Sequence, residues 1–217
     1  NKLSAQGLSA DRISIVPLAV SVQDNLHAKK TKHPSFVHFG RLTEVKGVHV
    51  LLRAFQKVQV ALPSARLTII GEGEQGEELK HLCQQLDLDP KVSFLGSKER
   101  QEAHSILAQH WVMCQANVTS RFAEQEAFGL SLAEAAALEL PVIGTNYGGI
   151  PEHVLSGQTG VLVPELDIHA LAHAMIKLAN DPEIRASMGR RGKENIRFKF
   201  QRNQRRDAIQ TLFEAVR

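Results

Sequence analysis

From residue 35 onward, short apolar runs alternate with longer stretches whose apolar positions recur every three or four residues. The run 35–39 (SFVHF) is β-branched and aromatic and stops at Gly40, which predicts a strand. Over 47–62 the residues Val50, Leu51, Leu52, Ala54, Phe55 and Val58 follow a helical period, and Pro63 ends it. The same reading predicts strands at 65–70, 91–95, 111–116, 141–144 and 160–163. It predicts helices at 77–86, 100–109, 131–140 and 167–178, then a final pair at 183–195 and about 202–216. Residues 12–17 (RISIVP) read as an edge strand entering the domain, and 22–34 as an exposed polar loop. Near-continuous apolar strands, separated by amphipathic helices, imply a parallel sheet covered on both faces. The fold class is therefore α/β, a doubly wound parallel sheet of Rossmann-like type. Its ligand lies beyond the carboxyl ends of the strands, where the strand order reverses.

Composition changes this picture little. With 217 residues, 43% of them hydrophobic, the chain can close one well-packed domain. A net charge of +3 is too small to point to nucleic acid. Cys83 and Cys114 are far apart and lie beside apolar residues, which reads as two reduced structural thiols in a cytoplasmic setting. No apolar run approaches the ~18 residues of a membrane-spanning helix, and no signal peptide is visible. The chain begins at Asn1 rather than Met, as expected of a segment of a longer protein. No Asp-x-Asp motif or histidine cluster suggests a catalytic metal; His38, His104 and His110 are scattered and read as structural.

A literal G-x-G-x-x-G stands at Gly71, Gly73 and Gly76, after a strand and before a helix. Three features argue against a dinucleotide site. Glu72 and Glu74 would repel a pyrophosphate, the next strand ends in Leu95-Gly96 with no acidic residue for a ribose, and the preceding strand is not the first of the sheet.

A stronger constellation is spread over several strand ends. After the first strand come Gly40, Arg41 and Lys46, a turn followed by two cations suited to a phosphate or, on the plainer reading, to solvent. Next is Glu126-Ala127-Phe128-Gly129-Leu130-Ser131-Leu132-Ala133-Glu134, where 128–131 opens a helix with free N–H groups. The helix separates the two carboxylates by several ångströms, so that they can serve different parts of one ligand. Ser131-x-x-Glu134 is equally a capping box, and Glu126 equally a loop carboxylate near a helix dipole. Gly148-Gly149-Ile150-Pro151-Glu152 follows the 141–144 strand on the same rim, as a ligand-facing turn or simply a strand-to-helix turn.

Together these residues resemble the retaining glycosyltransferases of family 4 (group 1 type), which have the two-domain GT-B fold. The resemblance is carried by FGRLTEVKG at 39–47, 65–73, VSFLG at 92–96, 126–134, LPVIGTNYGGIPE at 140–152, GQTGVLVP at 157–164 and 181–192. It covers nearly all of 12–200, in order. It implies the C-terminal, donor-binding half of the fold: an entry segment at 1–34, a nucleotide-sugar domain at 35–200, and a helix at 201–217 crossing to an N-terminal domain.

By this resemblance Arg41 and Lys46 neutralise the diphosphate of a nucleotide sugar as it departs. Glu126 holds hydroxyls of the transferred, hexosyl-type sugar and Glu134 the ribose hydroxyls. Backbone amides of Phe128, Gly129, Leu130 and Ser131 touch the distal phosphate, while Gly96 and Ser97 border the nucleobase. Paired cations and a helix N-terminus stabilise the leaving group with no metal or other cofactor. The acceptor, a glycan or lipid-linked glycan, binds mainly to the N-terminal domain, without which the fragment is inactive. The setting common to such enzymes is polysaccharide synthesis. Epimerase, sugar phosphorylase and non-enzymatic nucleotide-sugar sensor remain alternatives on the same fold.

Two features depart from the family pattern. Leu18-Ala19 replace the usual Asn-Gly after the entry strand, and 115–125 (QANVTSRFAEQ) is long and polar, with Glu124 as a rival to Glu126. The basic run from Arg190 to Arg206 reads as a solvated face, with peripheral contact to an anionic membrane as the alternative.

Overall fold

The computed structural model describes residues 28–215 together with Gly7, Ser9, Ile13, Val16 and residues 18–21. The expected edge strand at 12–17 lies almost wholly outside them. Six strands, β1 (Ser35–Phe39), β2 (Arg66–Ile70), β3 (Val92–Phe94), β4 (Val112–Cys114), β5 (Val142–Thr145) and β6 (Gly160–Val163), form one sheet. All the pairings are parallel, in the order β3-β2-β1-β4-β5-β6.

The alternation of side chains along each strand buries both faces. On β1, Phe36 faces one hydrophobic cluster and Val37 the other; on β4, Val112 and Cys114 face the first and Met113 the second. Helices α1 (Val48–Ala61), α2 (Gly76–Gln85) and α5 (Ile168–Asn180) supply the first cluster, with Leu51, Phe55, Leu79 and Met175 at most 1% exposed. Helices α3 (Arg100–Gln109), α4 (Leu130–Ala137) and α6 (Pro182–Lys199) cover the other face through Leu107, Leu132, Ile196 and their neighbours. The aspartates preceding α5 and α6 cap them: Asp167 Oδ1 accepts from the Ala170 N–H and Asp181 Oδ1 from the Ile184 N–H, both at 2.8 Å. Helix α7 (Arg202–Ala215) follows, and none of the residues whose exposure is described there is buried.

Several boundaries depart from expectation: β4 covers only Val112–Cys114 of the expected 111–116, and α6 runs to Lys199 instead of 195. Helix α4 ends at Ala137 instead of 140, because Glu139 adopts a left-handed backbone (φ 59°) that an α-helix does not admit. The Gly-Gly-Ile-Pro-Glu segment forms only a single 3-10 turn, Ile150–Glu152. Cys83 and Cys114 are both buried and unbridged.

Candidate functional site

Strand order reverses between β1 and β4, which opens a crevice at their carboxyl ends. Backbone hydrogen bonds tie the exit loops there into a rim. The Gly40 N–H donates to Ile70 O (3.0 Å), Gly71 N–H to Gly96 O (2.9 Å), Leu42 N–H to Glu72 O (2.9 Å) and Val118 N–H to Val45 O (3.0 Å).

In the loop after β1, Arg41 is exposed, and its guanidinium has no hydrogen bond or ion pair among the described residues. Lys46 ends a single 3-10 turn, Glu44–Lys46, and forms an ion pair with Glu126, the two side chains 15% and 13% exposed. The Glu126 carboxylate also accepts from Asn117 Nδ2 at 3.1 Å and from the Gly129 N–H at 3.0 Å. Burial alone pushes the Glu126 carboxyl up. The Lys46 ammonium and the N–H groups of Gly129 and Phe128 outweigh it and hold the pKa below the usual carboxylate value. Glu124, the rival, is exposed, and its N–H donates to Ser120 Oγ at 3.1 Å.

Gly129 is the N-cap of α4, so the Ser131-x-x-Glu134 capping box does not form. Ser131 already lies inside the helix, where its hydroxyl accepts from Gln115 Nε2 at 2.7 Å. The first intrahelical bonds come from the N–H groups of Leu132 and Ala133, which leaves those of Leu130 and Ser131 as the open donors of the helix N-terminus. Glu134, one turn in, pairs with Arg100 and lies 3.7 Å from His104 Nε2.

Bare backbone seats this constellation. A Cβ on Gly148 would fall 2.1 Å from Glu126 O, and one on Gly149 2.0 Å from Ala127 O. Just beyond, buried His153 hydrogen-bonds Phe128 O through Nε2 at 2.8 Å, so Nε2 carries the proton. Burial lowers the His153 pKa to about 4, and burial together with Lys46 lowers that of His38 to about 4; both imidazoles are neutral at pH 7.

The G-x-G-x-x-G residues have a packing role. A Cβ on Gly71 would fall 1.9 Å from Gly40 O and one on Gly73 2.4 Å from Leu42 O, so these glycines let the loop after β1 lie across them. A hollow of about 330 Å³ opens here, lined by Leu42, Gly71, Glu72, Gly73, Phe94 and Gly96 among others. Beside it the Ser97 N–H donates to Glu72 Oε1 at 3.1 Å.

Between Asn117 and Glu126 the chain loops outward. Thr119 anchors the loop, its N–H bonding Glu165 and its hydroxyl bonding Tyr147 Oη at 2.8 Å. Further out, the Arg121 guanidinium stacks 5.0 Å from the centroid of exposed Phe122.

The structure thus gathers Lys46, Glu126 and 128–131 at one point, places Gly96–Ser97 beside the hollow, and leaves Arg41 on the rim. Sequence reasoning missed Asn117, Gln115, His153 and Arg100. Two amides directly after an apolar strand were a readable sign; nothing local marked Arg100. Among the described residues no group of His, Cys, Asp and Glu is arranged to hold a metal, and no helix is long and apolar enough to cross a membrane.

Comparison with known proteins gives a consistent result. The family model described as glycosyl transferases group 1 matches residues 22–195. N-acetyl-alpha-D-glucosaminyl L-malate synthase of Bacillus anthracis is 31% identical over 180 residues, 83% of this chain and 44% of that protein. The putative colanic acid biosynthesis glycosyltransferase WcaL of Salmonella typhimurium is 27% identical over 220 residues, 99% of this chain and 54% of that one. The chain thus spans about half the length of these curated relatives. Among solved structures, a mutant of S. aureus TarM, determined with fondaparinux, alpha-GlcNAc-glycerol and UDP, superposes with a TM-score of 0.85 at 19% identity. That match covers 96% of this chain and 41% of TarM.

Proposed function

The chain belongs to the glycosyl transferases group 1 family, and from that membership we propose that it is the donor-binding domain of a retaining, nucleotide-sugar-dependent enzyme. The enzyme moves a hexosyl-type sugar to a glycan or lipid-linked acceptor held largely by a preceding domain. One observation carries this reading: Lys46 and the open N-terminus of α4 converge on Glu126 at the strand switch.

Departure of a nucleoside diphosphate leaves negative charge on its terminal phosphate. Lys46, the exposed guanidinium of Arg41 and the Leu130 and Ser131 N–H groups stabilise that charge. Glu126 then accepts hydroxyls of the sugar and Glu134 those of the ribose, while the base lies at the hollow beside Gly96–Ser97. This chemistry uses no metal. The UDP in the TarM structure supports a nucleotide partner, and the colanic acid relative supports a role in polysaccharide synthesis. Exposed Phe198 between Arg197 and Lys199 supports peripheral contact with the cytoplasmic face of a membrane, tested by co-sedimentation with anionic against neutral vesicles.

Calorimetric titration of the chain with UDP, GDP and ADP tests the donor site, alongside an Arg41→Ala/Lys46→Ala double variant. One nucleotide should bind selectively, and the double variant should lose it. Equal binding by the folded variant would remove the two cations from the site.

A further inference from the structure

Glu134 stands in a run of alanines, Ala133 and Ala135–137, on a helix whose residues from Leu132 to Ala137 are all buried. A carboxylate at such a position has given up its water, and hydrogen-bonding partners must replace it. Arg100, the first residue of α3, donates from Nη2 to Glu134 Oε1. His104, one turn further on, brings Nε2 only to 3.7 Å from Oε2, too far for a hydrogen bond. The pairing is asymmetric: the Glu134 side chain is 7% exposed and that of Arg100 55%. Arg100 is thus a rim residue reaching inward, with donors to spare. It begins its helix three residues after Ser97, on the turn that borders the hollow.

We infer that Arg100 is a positioning residue for the nucleotide. By holding Oε1 of Glu134 it fixes the plane of the carboxylate, so that the remaining lone pairs meet both hydroxyls of a vicinal diol. The inference rests on the reading of Glu134 as the ribose acceptor and adds the residue that orients it. A carboxylate offers roughly four acceptor positions, and Arg100 occupies one, which leaves enough for the two ribose hydroxyls. Without Arg100 the carboxylate has no lysine or arginine within ion-pair distance among the described residues, and its plane is set by packing alone. A wholly structural Arg100 would stabilise the fold without favouring the ribose form of a nucleotide over its dideoxy form. An orienting Arg100 acts on the ribose specifically, which makes the two separable.

The experiment titrates the wild-type chain and the Arg100→Ala and Arg100→Lys variants with UDP, GDP and ADP, each paired with its 2′,3′-dideoxy analogue. Thermal unfolding checks that the variants are folded. The wild type should prefer the ribose form of the nucleotide it binds. Arg100→Ala should lower that preference about tenfold, the scale of one hydrogen bond to a charged group, with dideoxy affinity unchanged. Arg100→Lys should recover part of it, since a lysine keeps the charge but not the planar fork. An unchanged preference in a folded Arg100→Ala, or equal loss on both forms, overturns the inference and leaves the donor site standing. A wild type indifferent to the ribose hydroxyls overturns the Glu134 assignment and this inference with it, and failure of all three nucleotides to bind overturns the donor-site reading itself.

Discussion

Lys46 and Glu126, eighty positions apart in sequence, form an ion pair at the mouth of the strand switch, with Asn117 and the Gly129 N–H on the same carboxylate. The pair joins the loop after β1 to the start of α4, so it supports the fold as well as the site. Lys46→Met should destabilise the chain by about 2 kcal/mol, between the values for exposed and fully buried pairs. Lys46→Met/Glu126→Gln should recover part of that loss, since no charge is then stranded. Urea unfolding of the singles and the double measures the coupling, and strict additivity would dissolve the pair as an energetic unit.

The same pair sets a pH dependence. The folded pKa of Glu126 is depressed, so its contribution is complete above the unfolded carboxyl value and is lost as pH falls through the folded one. The stability gap between wild type and Glu126→Gln should hold from pH 7 to about 5 and close below about 4. Chemical denaturation across that range reads it directly, and a gap constant down to pH 3 would contradict it.

His38 and His153 act in the same direction over a higher window. Both are held near 4 in the folded chain, whereas an unfolded histidine titrates near 6.5, so between those values the unfolded chain binds protons that the native one does not. Stability therefore falls as pH drops from about 6.5 to about 4, by up to about 1.4 kcal/mol per pH unit for each histidine. His153→Gln, which keeps a donor for Phe128 O, should flatten the slope. An identical slope would mean that His153 is protonated in the fold.

Gly148→Ala should weaken both fold and site. The added carbon falls 2.1 Å from Glu126 O, at a residue whose φ is +57°. We expect a loss of about 2 kcal/mol or more, together with weaker nucleotide binding as the Glu126 loop shifts. Melting temperature and calorimetry check the two halves, and a neutral substitution would show that the loops are not in register as described.

The two thiols should be silent in the native state. Burial, then Asp89, pushes the Cys83 thiol up to about 12, and burial pushes up that of Cys114. A disulfide reagent at pH 8 should modify neither until urea is added; rapid native reaction would contradict their burial.

The strands and most helices were legible because burial on both faces makes β1, β4 and β5 short, near-continuous apolar runs, and Pro63 and Asp167 punctuate what lies between. Lys46, Glu126 and the opening of α4 were legible too, since each stands beside a glycine or helix start whose backbone chemistry is local. The capping box was a false local signal: Gly129 takes the cap two residues earlier, and only the surrounding loop decides that. Arg100 was invisible because its meaning lies in a partner thirty-four positions away on another helix. Gly71 and Gly73 could be set aside as a dinucleotide motif from Glu72 and Glu74 alone, but their packing role was hidden, since what approaches them is the carbonyl of a neighbouring loop.

The loop between Asn117 and Glu126 is fastened at Thr119 to Glu165 and Tyr147, on the exits of β6 and β5. Its tip is tied across to the loop after β1 as well: the Arg121 N–H donates to Glu44 Oε1 at 3.2 Å, and Glu44 opens the single 3-10 turn that Lys46 ends. A substitution at that tip that removes the bond to Glu44 therefore acts on the turn that carries Lys46. The outer loop and the Lys46–Glu126 pair are thus one mechanical part of this domain, braced from three strand exits at once.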